Sequence, residues 1–167
     1  MATPRPDDAA PSILHLVKQV QYRAYVRLEA VFQPLGITAA QFRILTTLST
    51  RPTLTSAELA RFYDVKPQTM IKQVALLETK GLIQRRESAA NRRLLELTLS
   101  PRGRDCLARC QAEARRLEAE VLAPLAAAEQ TVLRDALSRL NDAMGRDLEG
   151  PGAEFTSEYS SAGVQRV

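Results

Sequence analysis

The sequence predicts a mainly α-helical fold with one small β-hairpin. Aromatic residues make up only 5% of the 167 residues and tryptophan is absent, whereas alanine and leucine, which favour helices, are abundant. Apolar residues recur at helical spacing over most of the chain, and only residues 82–87 and 94–99 alternate as the strands of a hairpin do. The length is sufficient for one domain with extensions and a substantial core.

Two short helices joined by a turn are predicted just before the hairpin, over residues 55–63 and 67–80. Thr55 can cap the first helix, because Glu58 follows three residues later as a capping box requires. Pro67 suits the first turn of the second helix, where its missing N–H would be unpaired anyway. Gly81 fits the left-handed position that ends the second helix. Met70, Val74 and Leu77 recur at helical spacing and form its buried apolar stripe.

Two helices followed by a hairpin are typical of a winged helix-turn-helix, which binds double-stranded DNA. The second helix enters the major groove and the wing contacts the backbone or the minor groove. Residues 38–103 contain eleven Lys and Arg against five Asp and Glu, a net charge of +6 in a chain of +4. This concentration of positive charge suits phosphate contacts. The alternative for the second helix is an ordinary solvated amphipathic helix.

The predicted DNA contacts lie on the second helix and on the wing. Glutamine and threonine can hydrogen-bond base edges, lysine can reach a guanine or a phosphate, and arginine can contact the backbone or the minor groove. The predicted residues are Lys66, Pro67, Gln68, Thr69, Lys72, Gln73, Arg92 and Arg93.

Long amphipathic helices flank this segment. Residues 13–35 carry a near-heptad apolar stripe, and further stripes run through 107–121 and 133–148 on either side of Pro124. Three such stripes cannot all be buried on one small core, so the terminal helices are expected to form a homodimer. A monomeric helical bundle is the alternative.

The predicted organisation follows from these patterns. A disordered N-terminal arm, a first dimerisation helix, a winged helix-turn-helix core, further dimerisation helices and a flexible Gly- and Ser-rich tail are expected in this order. Their bounds are residues 1–11, 12–37, 38–103, 104–149 and 150–167.

The sequence resembles the MarR (multiple antibiotic resistance regulator) family of transcription factors, most closely in the winged-helix core. The matching segments are ITAAQFRIL at 37–45, LA at 59–60, VKPQT at 65–69, LETKGLIQR at 77–85, NRR at 91–93 and LTLSPRG at 97–103. The flanking helical segments also fit, so the resemblance extends over roughly residues 12–148. No single segment is diagnostic, but the ordered set is specific.

The wing departs from the family pattern at two positions. Asn91 stands where the family usually has an aspartate that pairs with the wing arginine, here Arg93, and Ser88 replaces a frequent acid. An asparagine can still accept a hydrogen bond from the guanidinium, although without charge assistance. Glu87 is the alternative partner.

The resemblance implies a homodimeric repressor of a catabolic or export operon. Such a protein binds a pseudo-palindromic operator with one recognition helix per half-site, the half-sites lying about one helical turn apart. A small effector, here expected to be an aromatic or heteroaromatic acid, binds between the dimerisation helices and the winged-helix lobe. The side chains suited to its carboxylate and ring are His15, Gln19, Tyr22, Arg23 and Arg43.

Simpler explanations remain open for some of these residues and for the function. Tyr22 and the nearby Tyr25 can pack at the dimer interface, and Arg23 can be solvated. A DNA-binding regulator without a small ligand, either architectural or activating, is one alternative function. A helical adaptor that binds an acidic protein through its basic face is another.

Enzyme, cofactor and membrane classes are disfavoured. The sequence has no Gly-rich phosphate loop, nucleophile elbow or His-Glu-x-x-His pair, and its single histidine is His15. It also lacks an apolar run of about eighteen residues and the apolar core of a signal peptide, so a cytoplasmic location is expected. Cys106 and Cys110 lie four residues apart on one helix, where packing is favoured over a strained disulfide, a redox pair or a metal half-site.

Overall fold

The computed structural model describes residues 10–88, 91 and 93–147, the last three by their backbone only. The mainly helical class with one hairpin is confirmed. A single turn of 3-10 helix, Gln33–Leu35, follows the first α-helix. The elements are α1 (Ile13–Phe32), α2 (Ala39–Thr50), α3 (Ser56–Phe62), α4 (Pro67–Thr79), β1 (Ile83–Glu87), β2 (Leu95–Leu99), α5 (Pro101–Leu122) and α6 (Ala127–Asp147).

Capping boxes begin both α2 and α3. The Thr55 hydroxyl accepts a hydrogen bond from the Glu58 N–H, and the Glu58 carboxylate accepts bonds from the Thr55 N–H and hydroxyl, as predicted. These bonds, led by the one from the backbone, lower the pKa of Glu58. Thr38 and Gln41 form the same arrangement at α2, which the sequence analysis did not identify.

Helix α4 begins and ends where its local signals predict. Pro67 is its first residue and Gly81, at φ +68°, follows its C-cap. The Leu82 N–H donates to the Leu77 carbonyl at 3.0 Å, and the Gly81 N–H donates to the Glu78 carbonyl at 2.8 Å. These two bonds form a Schellman motif, which turns the chain directly from α4 into the wing.

The wing is an antiparallel pair of five-residue strands. Ile83 pairs with Leu99 at the base and Glu87 with Leu95 at the tip. Leu54 adds an isolated bridge to the middle of β2, at Leu97. Within the two strands only Ile83, Leu97 and Leu99 are buried, so most side chains of the strands face solvent.

One hydrophobic core joins the winged helix to the inner parts of α1 and α5. The rings of Phe32 and Phe42 pack 4.8 Å apart between α1 and α2. Cys110 packs in this core as a free thiol, as expected, and burial raises its pKa to about 12. Further fully buried members are Leu45, Leu48, Leu59, Val74, Leu77 and Leu97.

The outer parts of the terminal helices present apolar side chains to solvent. In α1 the predicted stripe divides, because Leu28 and Val31 pack against the core while residues nearer the N-terminus do not. Helix α6 exposes its stripe in the same way. The exposed members are Ile13, Leu16, Val17, Val20, Leu133, Leu137, Leu140 and Met144.

Three further expectations from the sequence concern the chain ends, the start of α5 and membrane-spanning helices. The tail at 150–167 and most of the N-terminal arm, residues 1–9, lie outside the described residues. Helix α5 already begins at Pro101, so the boundary drawn after residue 103 falls within its first turn. No helix among the described residues is long and apolar enough to cross a membrane.

Candidate DNA interface and effector site

The N-terminal half of α4 presents polar side chains opposite its buried stripe. Met70 and Val74 lie on the core side, and at about 100° per residue Gln68 and Lys72 lie on the opposite side. Both are exposed. The glutamine amide and the lysine ammonium are therefore available to base edges and phosphates.

The start of α4 adds further exposed groups. Lys66 is the N-cap residue and its carbonyl accepts the N–H of Thr69 at 2.9 Å. Lys66, Pro67 and Thr69 are all exposed. The structure thus brings five of the predicted residues together at one end of the helix.

Gln73 lies in a different environment from the other predicted contacts. It is half-buried, and its Oε1 accepts a hydrogen bond from the buried Gln41 side chain of α2 at 3.4 Å. The Lys80 ammonium donates to Gln41 Oε1 and to the Gly36 carbonyl, both at 2.7 Å. This polar cluster (Gly36, Gln41, Gln73 and Lys80) fixes one flank of α4 to the junction before α2.

The other flank of α4 is fastened to the wing by an ion pair. Arg85 of β1 donates to both Glu78 carboxylate oxygens, at 2.8 and 2.9 Å. The hydrogen bond to Glu78 raises the pKa of Arg85. This pair was not predicted from the sequence, although its opposite charges flank the predicted turn at Gly81.

The tip of the wing shows how Asn91 behaves in place of an acid. Its Oδ1 accepts the backbone N–H of Arg93 at 3.0 Å, a local turn-forming bond. The Arg93 side chain is exposed. Ser88 is buried and its N–H donates to the Leu94 carbonyl at 2.9 Å. Arg92 lies outside the described residues.

The predicted effector residues fall in two places. On α1, the side chains of His15 and Gln19 are hydrogen-bonded at 2.8 Å, and Tyr22 and Arg23 are exposed further along the same helix. On α2, the Arg43 guanidinium lies 4.9 Å from the centre of the Tyr63 ring. The structure thus brings His15 to Gln19 and places Arg43 beside a ring that the sequence analysis did not single out.

A second tyrosine, Tyr25, is exposed on α1. Its hydroxyl donates to Glu29 Oε1, one turn further along the helix, at 2.9 Å. This bond is the main cause of the raised pKa of Tyr25, which the charge of Arg43 partly opposes. Glu29 also accepts the Ala39 N–H at 3.0 Å and so joins α1 to the start of α2.

The part of the chain that the structure describes contains no candidate metal site. No group of three or more His, Cys, Asp or Glu side chains is arranged there to hold an ion. The candidate DNA interface consists of the exposed polar face of α4 and the basic wing. The candidate effector site includes Tyr25 of α1 and Arg43 of α2.

Known proteins resemble both the sequence and the structure. The family model of the MarR family matches residues 37–95. The HTH-type transcriptional repressor Rv2887 of Mycobacterium tuberculosis is 40% identical over 113 residues, which are 68% of this chain and 81% of that protein.

Crystal structures of that mycobacterial protein have the same fold. Its complex with salicylic acid has a TM-score of 0.66 at 37% identity, covering 80% of this chain and 98% of that one. Its complex with DNA has a TM-score of 0.68 at 35% identity, covering 79% and 98%. The resemblance inferred from the residues is confirmed: the chain belongs to the MarR family of transcriptional regulators.

Proposed function

We propose that this chain is a homodimeric repressor that binds a pseudo-palindromic operator and is released by a small aromatic or heteroaromatic acid. The exposed face of α4 beside the basic wing is the observation that carries the DNA-binding part. The relative that has been crystallised with DNA supports it. The proposed DNA contacts are Lys66, Pro67, Gln68, Thr69, Lys72, Gln73, Arg92 and Arg93.

DNA binding is tested with duplexes from the region upstream of the chain's own gene. Gln68→Ala should weaken binding to the preferred duplex by about 1–3 kcal/mol and relax its sequence preference. Lys72→Ala should weaken binding to all duplexes and lower the salt dependence of affinity by about one counterion. Lys18→Ala is the matched control, because it removes one exposed positive charge from α1. Equal effects of Lys18→Ala and Lys72→Ala would contradict the proposal.

A homodimer is proposed because no described residue covers the apolar stripes of α1 and α6. Val20 and Leu140 are each at least half exposed, and a contiguous apolar face of this kind marks an interaction surface. Two copies joined through these helices would present two α4 helices to the two half-sites of one operator.

The effector is proposed to bind where α1 meets α2. The relative crystallised with salicylic acid makes an aromatic carboxylate the first compound to test. A carboxylate taken out of water needs a cation, which Arg23 or Arg43 can supply, while His15, Gln19 and Tyr22 are proposed to border the ring. The regulated genes are proposed to serve catabolism or export of such an acid.

Operator release titrated with salicylate tests the effector site. His15→Ala, Arg23→Ala and Arg43→Ala should retain operator binding, because none of these residues lies on α4 or in the wing. The variant that lacks the carboxylate-binding arginine should no longer respond to salicylate. If all three variants release the operator at the concentration needed for the wild type, the effector binds elsewhere.

A further inference from the structure

The orientation of the Gln73 side chain follows from the hydrogen bonds of the polar cluster. An amide group has an oxygen that accepts hydrogen bonds and an NH2 that donates two, so its partners determine which end faces which neighbour. Gln41 is only 2% exposed and lies between Lys80 and Gln73. The partners of Gln41 therefore decide how both amides are turned.

Two donors fix the amide of Gln41. Its Oε1 accepts hydrogen bonds from the Lys80 ammonium at 2.7 Å and from the Thr38 backbone N–H at 3.4 Å. The ammonium is itself held in place, because it also donates to the Gly36 carbonyl at 2.7 Å. Neither an ammonium nor a backbone N–H can accept a hydrogen bond. The Gln41 oxygen must therefore face these two groups, which leaves its Nε2 to face α4.

This arrangement determines which end of its amide Gln73 turns outward. Gln41 Nε2 can only donate, and it lies 3.4 Å from Gln73 Oε1, which accepts its hydrogen bond. The end of the Gln73 amide that points away from Gln41 is then its Nε2. Gln68, in contrast, is exposed, and either end of its amide can meet a base.

An amide that can only donate distinguishes bases differently from a free amide. A glutamine with both ends available pairs with adenine, because it accepts a bond from N6 and donates one to N7. Guanine offers two adjacent acceptors in the major groove, O6 and N7, whereas cytosine offers the N4 donor. A glutamine whose oxygen is already engaged is therefore best matched by guanine.

We propose that Gln73 donates a hydrogen bond to a guanine of the operator and that Gln41, held by Lys80, is the positioning residue that imposes this role. The inference rests on the proposed DNA binding and goes beyond it, since it assigns a base to one side chain of α4. It also separates the two glutamines of α4, because only Gln68 remains able to pair with adenine through both ends of its amide.

Hydrogen exchange of the side-chain amides, measured by NMR on the full chain without DNA, tests the orientation. In the wild type the Nε2 protons of Gln41 should exchange slowly and those of Gln73 faster. Gln41→Glu keeps an acceptor for Lys80 and Thr38 but removes the donor to Gln73. The Gln73 amide should then turn and donate to the introduced carboxylate. Its Nε2 protons should exchange about tenfold more slowly, because hydrogen bonds to charged groups are strong.

The second measurement is affinity for duplexes that carry each base pair at every operator position. At one position in each half-site the wild type should prefer guanine by about fivefold or more, and Gln73→Ala should remove this preference. Gln41→Glu should instead prefer cytosine or adenine at that position, because the turned amide presents its oxygen to their amino groups. A residue that only filled space in the fold would not exchange one base preference for another.

Two further variants guard against misfolding and against a simple effect of charge. Gln73→Glu also presents an acceptor, and it should give the same change of base preference without altering the buried Gln41. Gln68→Glu is the matched control, since it adds the same charge to the exposed face of α4. It should lower affinity while leaving the preference at the position read by Gln73 unchanged.

The outcomes separate this inference from the proposed function. Gln73 protons that already exchange as slowly as those of Gln41, or that do not respond to Gln41→Glu, would overturn the orientation. Base preferences that stay unchanged in Gln73→Ala, Gln41→Glu and Gln73→Glu would overturn the reading of guanine. If Gln68→Ala still relaxes base preference in that case, DNA binding by α4 stands and only the inference fails. A wild type that binds none of the duplexes would overturn both.

Discussion

Gly103, in the first turn of α5, lies directly against the backbone of the α4–β1 turn. A Cβ atom at this position would lie 1.9 Å from the Leu82 carbonyl oxygen. The Ser100 hydroxyl reinforces the contact, because it accepts the Gly103 N–H at 2.9 Å and donates to the Gly81 carbonyl at 2.7 Å. This close approach joins α4 and the wing to the long helix α5.

Replacing Gly103 should therefore destabilise the fold. Alanine would gain about 1 kcal/mol in helix propensity, but forcing its Cβ into backbone atoms should cost more than that gain. We expect Gly103→Ala to lower the free energy of unfolding by about 2 kcal/mol in urea titrations. Gly36→Ala is the control, because Gly36 has φ +68° and no atom within 4 Å of an added Cβ. Its cost should be only the left-handed backbone strain, about 1 kcal/mol, and a larger loss than that of Gly103→Ala would contradict the argument.

The lowered pKa of Glu58 predicts a pH dependence of stability. A carboxyl whose pKa is lower in the folded state contributes stability above its unfolded pKa and loses this contribution as the pH falls through the folded value. Glu58→Gln keeps a capping box, as Gln41 shows at α2, but removes the charge. We expect the wild type to be more stable than the variant by about 0.3–1 kcal/mol near neutral pH, with the difference vanishing toward pH 3 in thermal unfolding. A difference that persists unchanged to pH 3 would show that the charge is not its source.

At the level of elements, the Arg85–Glu78 pair fastens β1 to α4. Both side chains are about one-third exposed, so the pair contributes modestly to stability. Its bidentate geometry nevertheless fixes the angle between α4 and β1, which are proposed to contact DNA together. We therefore regard both side chains as positioning residues.

Glu78→Gln separates positioning from simple charge. The change removes one negative charge from the protein, so electrostatics alone would tighten DNA binding. If the pair positions the wing, operator affinity should instead fall about three- to fivefold, in line with the small energy of an exposed pair. Binding measured over a range of salt concentrations distinguishes the two results, and tighter binding at every salt concentration would exclude a positioning role.

Local sequence signals predicted where helices begin and end, but they did not predict the contacts between helices and strands. The capping box at Thr55, the proline at the start of α4 and the glycine after its end each act within four residues, so the sequence reveals them. The bond from Gln41 to Gln73 spans 32 positions, and it arises only when α2 packs on α4. Helical spacing alone therefore grouped Gln73 with Gln68, although the structure gives the two amides different surroundings.

For the whole molecule, the sequence predicted an excess of apolar surface but not where a single chain would bury it. Residues on the inner part of α1 and on α5 join the core, as Leu28 and Leu107 do. Among the described residues, the outer part of α1 and the stripe of α6 have no such partner, although their spacing is equally regular. Periodicity identifies an apolar face, and only the packed structure shows which face remains uncovered.

A charge placed on the uncovered face should dissociate the proposed dimer. Leu137 is 42% exposed in the single chain, so Leu137→Glu should leave the monomer folded while making burial against a second copy costly. Sedimentation velocity at micromolar concentration should show a dimer for the wild type and a monomer for this variant. Operator affinity should fall by orders of magnitude, because one lobe alone contacts one half-site. Ser138→Glu is the control, since the neighbouring position does not share the stripe, and it should remain a dimer. A dimeric Leu137→Glu that binds the operator normally would mean that the two copies meet through another surface.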